Sequence, residues 1–248
     1  VVVGIEIEVI RARVAIGVTN GVENEWVSPE CIDSHTHRPR IPGRDIRGRR
    51  HARGKVDVPV GKHTSYYGLF GQRSEVAARA LDSGAFMIND VFAGTKDEEL
   101  VHVVSARRAP LVIMHMQGTP ATMQVNPRYA NASEDIITWL QQRSVDLKSQ
   151  GIDQLVVDPG FGFGKTTEHN FQILRSLKAF QVLGHPLLVG VSRKSMIWKT
   201  LQSSPEAALN GTTALHAWAL EGGANILRVH DVTEALETVA LHNELRNA

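Results

Sequence analysis

Residues 155–165 read LVVDPGFGFGK, and the apolar run before Asp158 decides the fold class. Consecutive apolar residues that end in a polar residue are typical of a strand buried on both faces. The same pattern recurs four more times, at residues 85–91, 111–115, 187–192 and 226–229. Because an amphipathic segment follows each run, five strand–helix units in succession predict a parallel sheet covered by helices.

The segments between the runs carry signals for helix ends. Ser204 followed by Pro205 predicts the start of one helix, and Asp231 with Glu234 forms a capping-box pattern at the start of the last. Gly151 predicts the end of the helix that begins near residue 133. These signals support the alternation of strands and helices along the chain.

Three further strands are predicted in the N-terminal third, at residues 13–19, 30–33 and 56–60. Together with the five later strands they make eight, which is the number in a closed α/β barrel. The connection from residue 20 to residue 29 is near the lower limit of about 10–12 residues for a crossover that contains a helix. We therefore predict an α/β fold, a single (β/α)8 TIM-barrel domain over residues 1–248, with an irregular N-terminal third.

The 248 residues carry a formal net charge of +1, but the charge is unevenly distributed. Residues 38–55, RPRIPGRDIRGRRHARGK, contain seven arginines, one lysine and one aspartate, a local charge of +7. Without an apolar period this segment is predicted to be a loop. Since no aromatic residue interleaves the arginines, a solvated or phosphate-facing loop is favoured over a nucleic-acid-binding arm.

The cysteine content and the apolar runs indicate the cellular compartment. Cys31 is the single cysteine, which excludes a disulfide framework and a multi-cysteine zinc site and suits a reducing cytosol. No apolar run approaches the ~20 residues that span a bilayer, and residues 1–9 lack the basic start of a secretory signal. We expect a cytoplasmic protein that has neither a membrane nor a nucleic acid as partner.

Polar residues follow the predicted strands at their C-terminal ends, where the chemistry of parallel barrels is located. Asn89 and Asp158 offer an amide and a carboxylate to a heterocycle rich in hydrogen-bond donors. The last two strand ends form a cationic rim suited to phosphate or carboxylate groups: Arg193, Lys194, Arg228 and His230. The alternative is structural, an ion pair between Asp158 and Lys194 that holds the mouth of the barrel.

The glycine-rich run after Asp158 has a partial nucleotide-binding pattern. Gly164, Lys165 and Thr166 match the end of a Walker A motif, but Pro159 occupies the position of its first glycine. The run also follows a late strand rather than the first. We interpret it as a loop whose glycines allow the backbone to approach a ligand closely.

The motifs DPGFGFGKT with EHN, MHMQGTP, VGVSRKSMI, RVHDV and IND, in this relative order, resemble those of the dihydropteroate synthase family. The resemblance covers about two-thirds of the chain, from residue 83 to the C-terminus. It implies a (β/α)8 barrel and a transferase of folate biosynthesis. Such an enzyme condenses 6-hydroxymethyl-dihydropterin diphosphate with para-aminobenzoate to give dihydropteroate and diphosphate. It also implies bound Mg²⁺, a homodimer and inhibition by sulfonamides.

The resemblance assigns roles to individual residues of this sequence. It implies pterin contacts by Asn89, Met114, Asp158, Lys194 and Arg228. It implies diphosphate contacts by Asn20, Arg38, Arg228 and His230, with Asn20 also as the magnesium ligand. It implies aminobenzoate contacts by Phe163, Ser192 and Arg193. The catalytic residues on this basis are Asp158, Lys194 and Arg228.

The N-terminal third departs from the family pattern. Residues 17–20 begin the first-strand motif, but residues 21–26 do not continue it, and no pterin-binding aspartate occurs near residues 61–64. We therefore predict that residues 20–72 are the least ordered or least family-like part of the structure.

Three other functions compete with the synthase. His35 and His37 in the sequence DSHTH resemble the first metal motif of amidohydrolases, because histidines two positions apart on a strand share a face and can both bind zinc. A polar loop and a loop that binds diphosphate are the other interpretations of this pair. A pterin-binding methyltransferase shares the barrel, and an inactive pterin-binding barrel would follow from the altered N-terminal loops.

Overall fold

A computed structural model describes residues 73–248 in full and the backbone of residues 2–10, 13–21 and 64–67. The strands predicted at residues 30–33 and 56–60, the basic segment 38–55, Arg38 and the His35–His37 pair lie outside the described residues. Most of residues 20–72 lies outside them too. The predictions made for these positions stay predictions.

The five predicted C-terminal strands are confirmed as parallel. One sheet contains β4 (Ile88–Asp90), β5 (Leu111–Met114) and β6 (Leu155–Asp158) in chain order, and β7 (Leu188–Val189) pairs with β8 (Ile226–Val229) in the other. A parallel bridge between residues 157 and 187 links β6 to the segment that leads into β7. The C-terminal ends of all five strands therefore lie at one edge of the fold.

The described N-terminal strands pair differently from the expected barrel. Strand β2 (Arg13–Gly21) lies parallel to β8, but β1 (Val2–Ile10) is antiparallel to β2, and β3 (Thr64–Tyr67) is antiparallel to β1. Strand β1 was not predicted from the sequence. Because only two residues separate β1 from β2, the two strands can pair directly only in the antiparallel sense.

Helices follow the strands as the alternation predicted. They are α1 (Ser74–Asp82), α2 (Glu98–Ala106), α3 (Ala132–Ser149), α4 (Thr167–Arg175), a 3₁₀ helix (Leu177–Leu183), α5 (Ser195–Thr200), α6 (Leu209–Glu221) and α7 (Val232–Asn247). In the part of the chain that the structure describes, no helix is both long and apolar enough to cross a membrane.

Two of the three predicted helix ends are wrong in detail. Residues 205–208 form a turn, so α6 begins at Leu209 rather than at Pro205. Asp231 occupies the N-cap position of α7, but its carboxylate accepts no hydrogen bond from that helix, because it is paired with Arg193. Gly151 ends α3 as predicted, with a φ of +85° that favours glycine.

The core lies between the parallel strands and their helices. Leu111, Ile113 and Val157 from the strands and Ile136 and Leu140 from α3 are all completely buried. Burial of such side chains from water is the main stabilising contribution to a fold of this kind. The packed strands hold the polar residues that follow them at fixed positions along one edge.

Candidate active site

A buried carboxylate occupies the centre of this edge. Asp158, the last residue of β6, is completely buried, and its Oδ1 accepts a hydrogen bond of 2.7 Å from the backbone N–H of Gly160. Its Oδ2 lies 2.9 Å from Nη2 of Arg228. The two groups form an ion pair, but the N–H bonds of Arg228 do not point at Oδ2 well enough to make a hydrogen bond. Asp158 Oδ2 can therefore still accept a hydrogen bond from a ligand.

Arg228 connects this carboxylate to the first parallel sheet. Its Nη1 donates a hydrogen bond of 3.1 Å to Oδ1 of Asn89, which is buried at the centre of β4. Gly190 makes room for the guanidinium, because a Cβ atom at residue 190 would lie 2.7 Å from Nη2. Three of the predicted pterin-binding residues, Asn89, Asp158 and Arg228, are thus in direct contact.

The ion pair considered from the sequence has a different partner. Arg228, and not Lys194, makes the direct ion pair with Asp158. The Lys194 ammonium lies 4.5 Å from the centre of the Phe163 ring, within the range of a cation–π interaction. Burial and the nearby Arg228 charge lower the pKa of Lys194 to about 8, and the Asp158 carboxylate opposes this shift.

Ser192 and His230 form a second contact at the ends of β7 and β8. The Ser192 Oγ accepts the backbone N–H of His230 at 3.1 Å and lies 2.9 Å from its Nδ1. These two contacts fix the orientation of the His230 imidazole ring relative to the Ser192 hydroxyl. Burial lowers the pKa of His230, and the Asp231 carboxylate partly offsets this effect.

Arg193 has a different environment from the other cations. Its Nε and Nη2 donate to the Asp231 carboxylate at 2.9 and 2.8 Å, and its Nη1 donates to the carbonyl oxygens of Pro205 and Glu206 at 2.9 and 2.7 Å. Most of its hydrogen-bonding capacity is therefore used within the protein. Its predicted contact with aminobenzoate stays a prediction that this geometry does not favour.

Met114 ends β5 and is completely buried, with its Cγ atom close to Gly160. It packs beneath the loop that follows β6, so its side chain forms part of the apolar lining of the site. Its predicted role in a pterin pocket requires only such a packing contact.

Lys165 was not predicted as a site residue. Its ammonium is buried and lies 3.1 Å from Nδ1 of His115, 3.2 Å from the carbonyl oxygen of His115 and 2.9 Å from that of Phe163. Burial lowers the pKa of Lys165 to about 7, with an opposing effect from Asp158, and burial lowers that of His115 to about 3. The sequence signal for Lys165 is its position at the end of the glycine-rich run, which by itself matches only part of a nucleotide-binding motif.

Asn20 lies in β2, of which only the backbone is described. The pairing of Gly17 with Val229 places residue 20 near the sheet edge where His230 also lies. Among residues 73–248, no group of three or more histidine, cysteine, aspartate or glutamate side chains is placed to hold a metal ion.

A buried carboxylate with several cations and an amide, at the C-terminal ends of parallel strands, defines a small-molecule site of the α/β enzyme class. A family model described as "Pterin binding enzyme" matches residues 71–230, which include the described parts of this site. The chain belongs to this family of pterin-binding enzymes.

Similar proteins agree with this assignment. A dihydropteroate synthase of Synechocystis is 41% identical over 187 residues, which cover 73% of this chain and 61% of the relative. A dihydropteroate synthase of Haemophilus influenzae is 39% identical over 195 residues, covering 78% of this chain and 70% of the relative. The matched part of this chain therefore spans about three-fifths of the length of the Synechocystis protein.

Solved structures give the same result. The Yersinia pestis dihydropteroate synthase with a sulfonamide drug has a TM-score of 0.69 at 35% identity, covering 72% of this chain and 65% of that chain. The Thermus thermophilus dihydropteroate synthase with 4-aminobenzoate has a TM-score of 0.67 at 38% identity, covering 71% and 72%.

Proposed function

We propose that this protein is a dihydropteroate synthase, a transferase of folate biosynthesis. It would join 6-hydroxymethyl-dihydropterin diphosphate to para-aminobenzoate and release diphosphate. The observation that carries the proposal is the unused acceptor of Asp158, Oδ2, buried beside Arg228 and Asn89. Support also comes from related synthases whose structures were solved with 4-aminobenzoate, 6HMPPP and 7,8-dihydropteroate.

The pterin ring fits the hydrogen-bonding groups of the buried cluster. Asp158 Oδ2 would accept from the N–H groups of the aminopyrimidine ring. Because Asn89 Oδ1 already accepts from Arg228, its Nδ2 is left to donate to a ring nitrogen or carbonyl. A buried site built to pair with polar ring atoms rejects analogues that lack them.

The reaction needs no nucleophile from the protein. The bond between the pterin methylene carbon and the diphosphate oxygen breaks, and its electron pair leaves with diphosphate. The aminobenzoate nitrogen supplies the electron pair of the new C–N bond and then loses a proton to solvent. Asp158 stabilises the positive charge that develops on the pterin, and His230 and the cationic rim stabilise the departing anion.

The aminobenzoate side is proposed to be formed by Phe163 and Lys194. The Phe163 ring supplies an apolar surface, and the Lys194 ammonium beside it suits a carboxylate. We assign Arg193 to holding the loops after β7 and β8 rather than to the substrate, because its donors are used within the protein. Sulfonamide analogues are expected to bind only when diphosphate is present.

Mg²⁺ remains part of the proposal, with Asn20 as its ligand and Arg38 as a further contact to diphosphate. When bound, the ion would neutralise charge on the diphosphate. Support comes from the position of residue 20 along β2, near the same edge as His230.

We also propose a cytoplasmic homodimer whose subunits each form one closed (β/α)8 barrel. The parallel pairing of β2 with β8 supports closure. Trp218 on α6 and Leu241 and Leu245 on α7 are 62%, 74% and 75% exposed, and such apolar surface is typical of a contact between subunits. Sedimentation of the full chain at several concentrations tests the dimer.

The decisive experiment measures pterin binding and turnover separately. The wild-type chain should form dihydropteroate and diphosphate in equal amounts from the two substrates. Asp158→Asn should abolish both binding and turnover, and it should destabilise the fold by about 3–5 kcal/mol, because it leaves Arg228 buried without its counter-ion. Asp82→Asn is the matched control, since its pair with Arg107 is exposed and should contribute under about 1 kcal/mol.

The alternatives give different results in the same experiment. Pterin binding by the wild type without turnover would contradict the synthase and favour the inactive barrel. Methyl transfer to or from a bound pterin would favour the methyltransferase. Zinc-dependent hydrolysis that His35→Ala abolishes would favour the amidohydrolase.

A further inference from the structure

The loop of residues 160–164, which follows β6, is held by side chains at each of its last three carbonyl groups. Gln124 Nε2 donates to the carbonyl oxygen of Gly162 at 2.6 Å. Lys165 Nζ donates to that of Phe163 at 2.9 Å, and the Tyr129 hydroxyl donates to that of Gly164 at 2.8 Å. The backbone of this loop is thus fixed on both sides of the Phe163 side chain.

Two of these donors, Gln124 and Tyr129, come from the loop between β5 and α3. The two loops pack backbone against backbone, because a Cβ atom at Gly160 would overlap the carbonyl oxygen of His115 and one at Gly164 would overlap that of Gln117. Here the glycines allow close approach to another loop of the same chain, in addition to any ligand.

The β5–α3 loop is itself stabilised at its base. Gln117 donates to the carbonyl oxygen of Arg128 at 2.9 Å and accepts from its backbone N–H at 3.0 Å. The Tyr129 ring packs edge-on against His169 with ring centres 5.0 Å apart. Burial raises the pKa of Tyr129 to about 12, so its hydroxyl stays protonated and can donate. The loop can therefore act as a fixed support for Phe163.

The pterin side of the site is held by other contacts. Asp158 is fixed by Arg228 and by the backbone N–H of Gly160, which lies at the start of the loop, before the carbonyl groups of Gly162 and Gly164 that Gln124 and Tyr129 hold. A change in the support of Phe163 should therefore affect one substrate much more than the other.

We propose that Gln124 and Tyr129 are positioning residues for aminobenzoate, acting through the backbone on either side of Phe163 and so on the Phe163–Lys194 pair. The inference rests on the proposed synthase function. Holding a binding group in its productive geometry before the substrate arrives lowers the entropic cost of binding. Loss of either hydrogen bond should loosen Phe163 without removing any group that touches substrate.

The test compares Tyr129→Phe and Gln124→Ala with the wild type in two measurements. Kinetics with both substrates varied should show an aminobenzoate KM raised about fivefold, the usual effect of one hydrogen bond, with pterin affinity changed less than about twofold. Hydrogen exchange of the peptide that contains residues 160–165 should become faster in both variants. Gln154→Ala is the matched control, because it removes a glutamine-to-carbonyl hydrogen bond at the opposite end of β6.

Each outcome separates this inference from the proposed function. Unchanged exchange in residues 160–165, or equal rises in both KM values, would overturn the positioning role even in an active enzyme. The wild type could instead be inactive while hydrogen exchange of residues 160–165 is faster in Tyr129→Phe and Gln124→Ala but not in Gln154→Ala. That result would contradict the synthase function and would still establish that Gln124 and Tyr129 support Phe163.

Discussion

Individual residues at the strand ends could be predicted because each signal is local. An apolar run that ends in polar residues located Asp158 correctly at the end of β6 and placed Asn89 within one residue of the end of β4. Their partners could not be predicted, because the contacts join residues far apart in the sequence. Arg228 rather than Lys194 pairs with Asp158, and Arg193 pairs with Asp231. Which cation faces which carboxylate depends on the lateral packing of strands, which the sequence pattern does not contain.

Lys194 provides a test at the scale of one side chain. Lys194→Ala should reduce turnover at least about 100-fold, because it removes a preorganised cation from the site. It should change the free energy of unfolding by less than about 1 kcal/mol, since the Phe163 contact it loses is a single cation–π interaction. Lys199→Ala on the same helix, whose side chain lies near the Trp198 ring, is the control. A loss of more than about 2 kcal/mol with turnover retained would show that Lys194 is structural.

Helix ends were predicted less well than strands. A residue caps a helix only if its side chain hydrogen-bonds to the first backbone N–H groups, and other partners can compete for that side chain. The Ser204–Pro205 signal is strong locally, yet the segment forms a turn and α6 begins at Leu209. Conversely, α3 is capped by Asn131, whose Oδ1 lies 3.2 Å from the Ser133 nitrogen, although the sequence signal pointed to residue 133.

These two positions allow a direct comparison at the scale of the element. Asn131→Ala should lower the free energy of unfolding by about 1–2 kcal/mol, because it removes the cap of α3 and an acceptor for Gln172. Ser204→Ala should lower it by less than about 0.5 kcal/mol, since only a 3.4 Å turn contact and an exposed hydrogen bond with the Glu206 side chain are lost. Urea denaturation of both variants measures the difference, and equal losses would contradict the described helix starts.

The whole molecule is expected to lose stability in mild acid. Burial lowers the pKa of His216 on α6 to about 4, against an ordinary value of 6.5. The unfolded chain therefore binds more protons between these values, so the stability from neutral His216 is full above pH 6.5 and is lost as the pH falls towards 4. The loss is on the order of 3 kcal/mol from this group.

A variant measures the part of this fall that comes from His216, to which His115 adds a further part, because burial lowers the pKa of His115 to about 3. His216→Gln should flatten the fall in unfolding free energy between pH 6.5 and 4, the two pKa values that bound the window, whereas His102→Gln on the exposed side of α2 should not. Thermal unfolding across this range provides the measurement. Identical pH profiles for wild type and His216→Gln would show that other groups control the acid response.

The five parallel strands and their order were predictable because buried strands and their helices give strong periodic signals. Strand β1 was not predicted, although Glu6 and Glu8 alternate with Ile5, Ile7 and Val9, and such alternation is typical of a strand with one buried face. The pairing of β1 with β2 follows from their two-residue connection, but β3 pairs with the other edge of β1 across a long separation in sequence, which no local pattern specifies.

The pairing of β2 with β8 joins strands that lie far apart in the sequence, with Gly17 opposite Val229. During synthesis β1 and β2 can form their hairpin as soon as they leave the ribosome, but the second edge of β2 has no partner until β8 has been translated. An open edge on a nascent chain is a template for pairing with other chains. We therefore expect chaperone dependence and aggregation of this protein to be decided in the interval before β8 is translated, because contacts between distant positions form slowly.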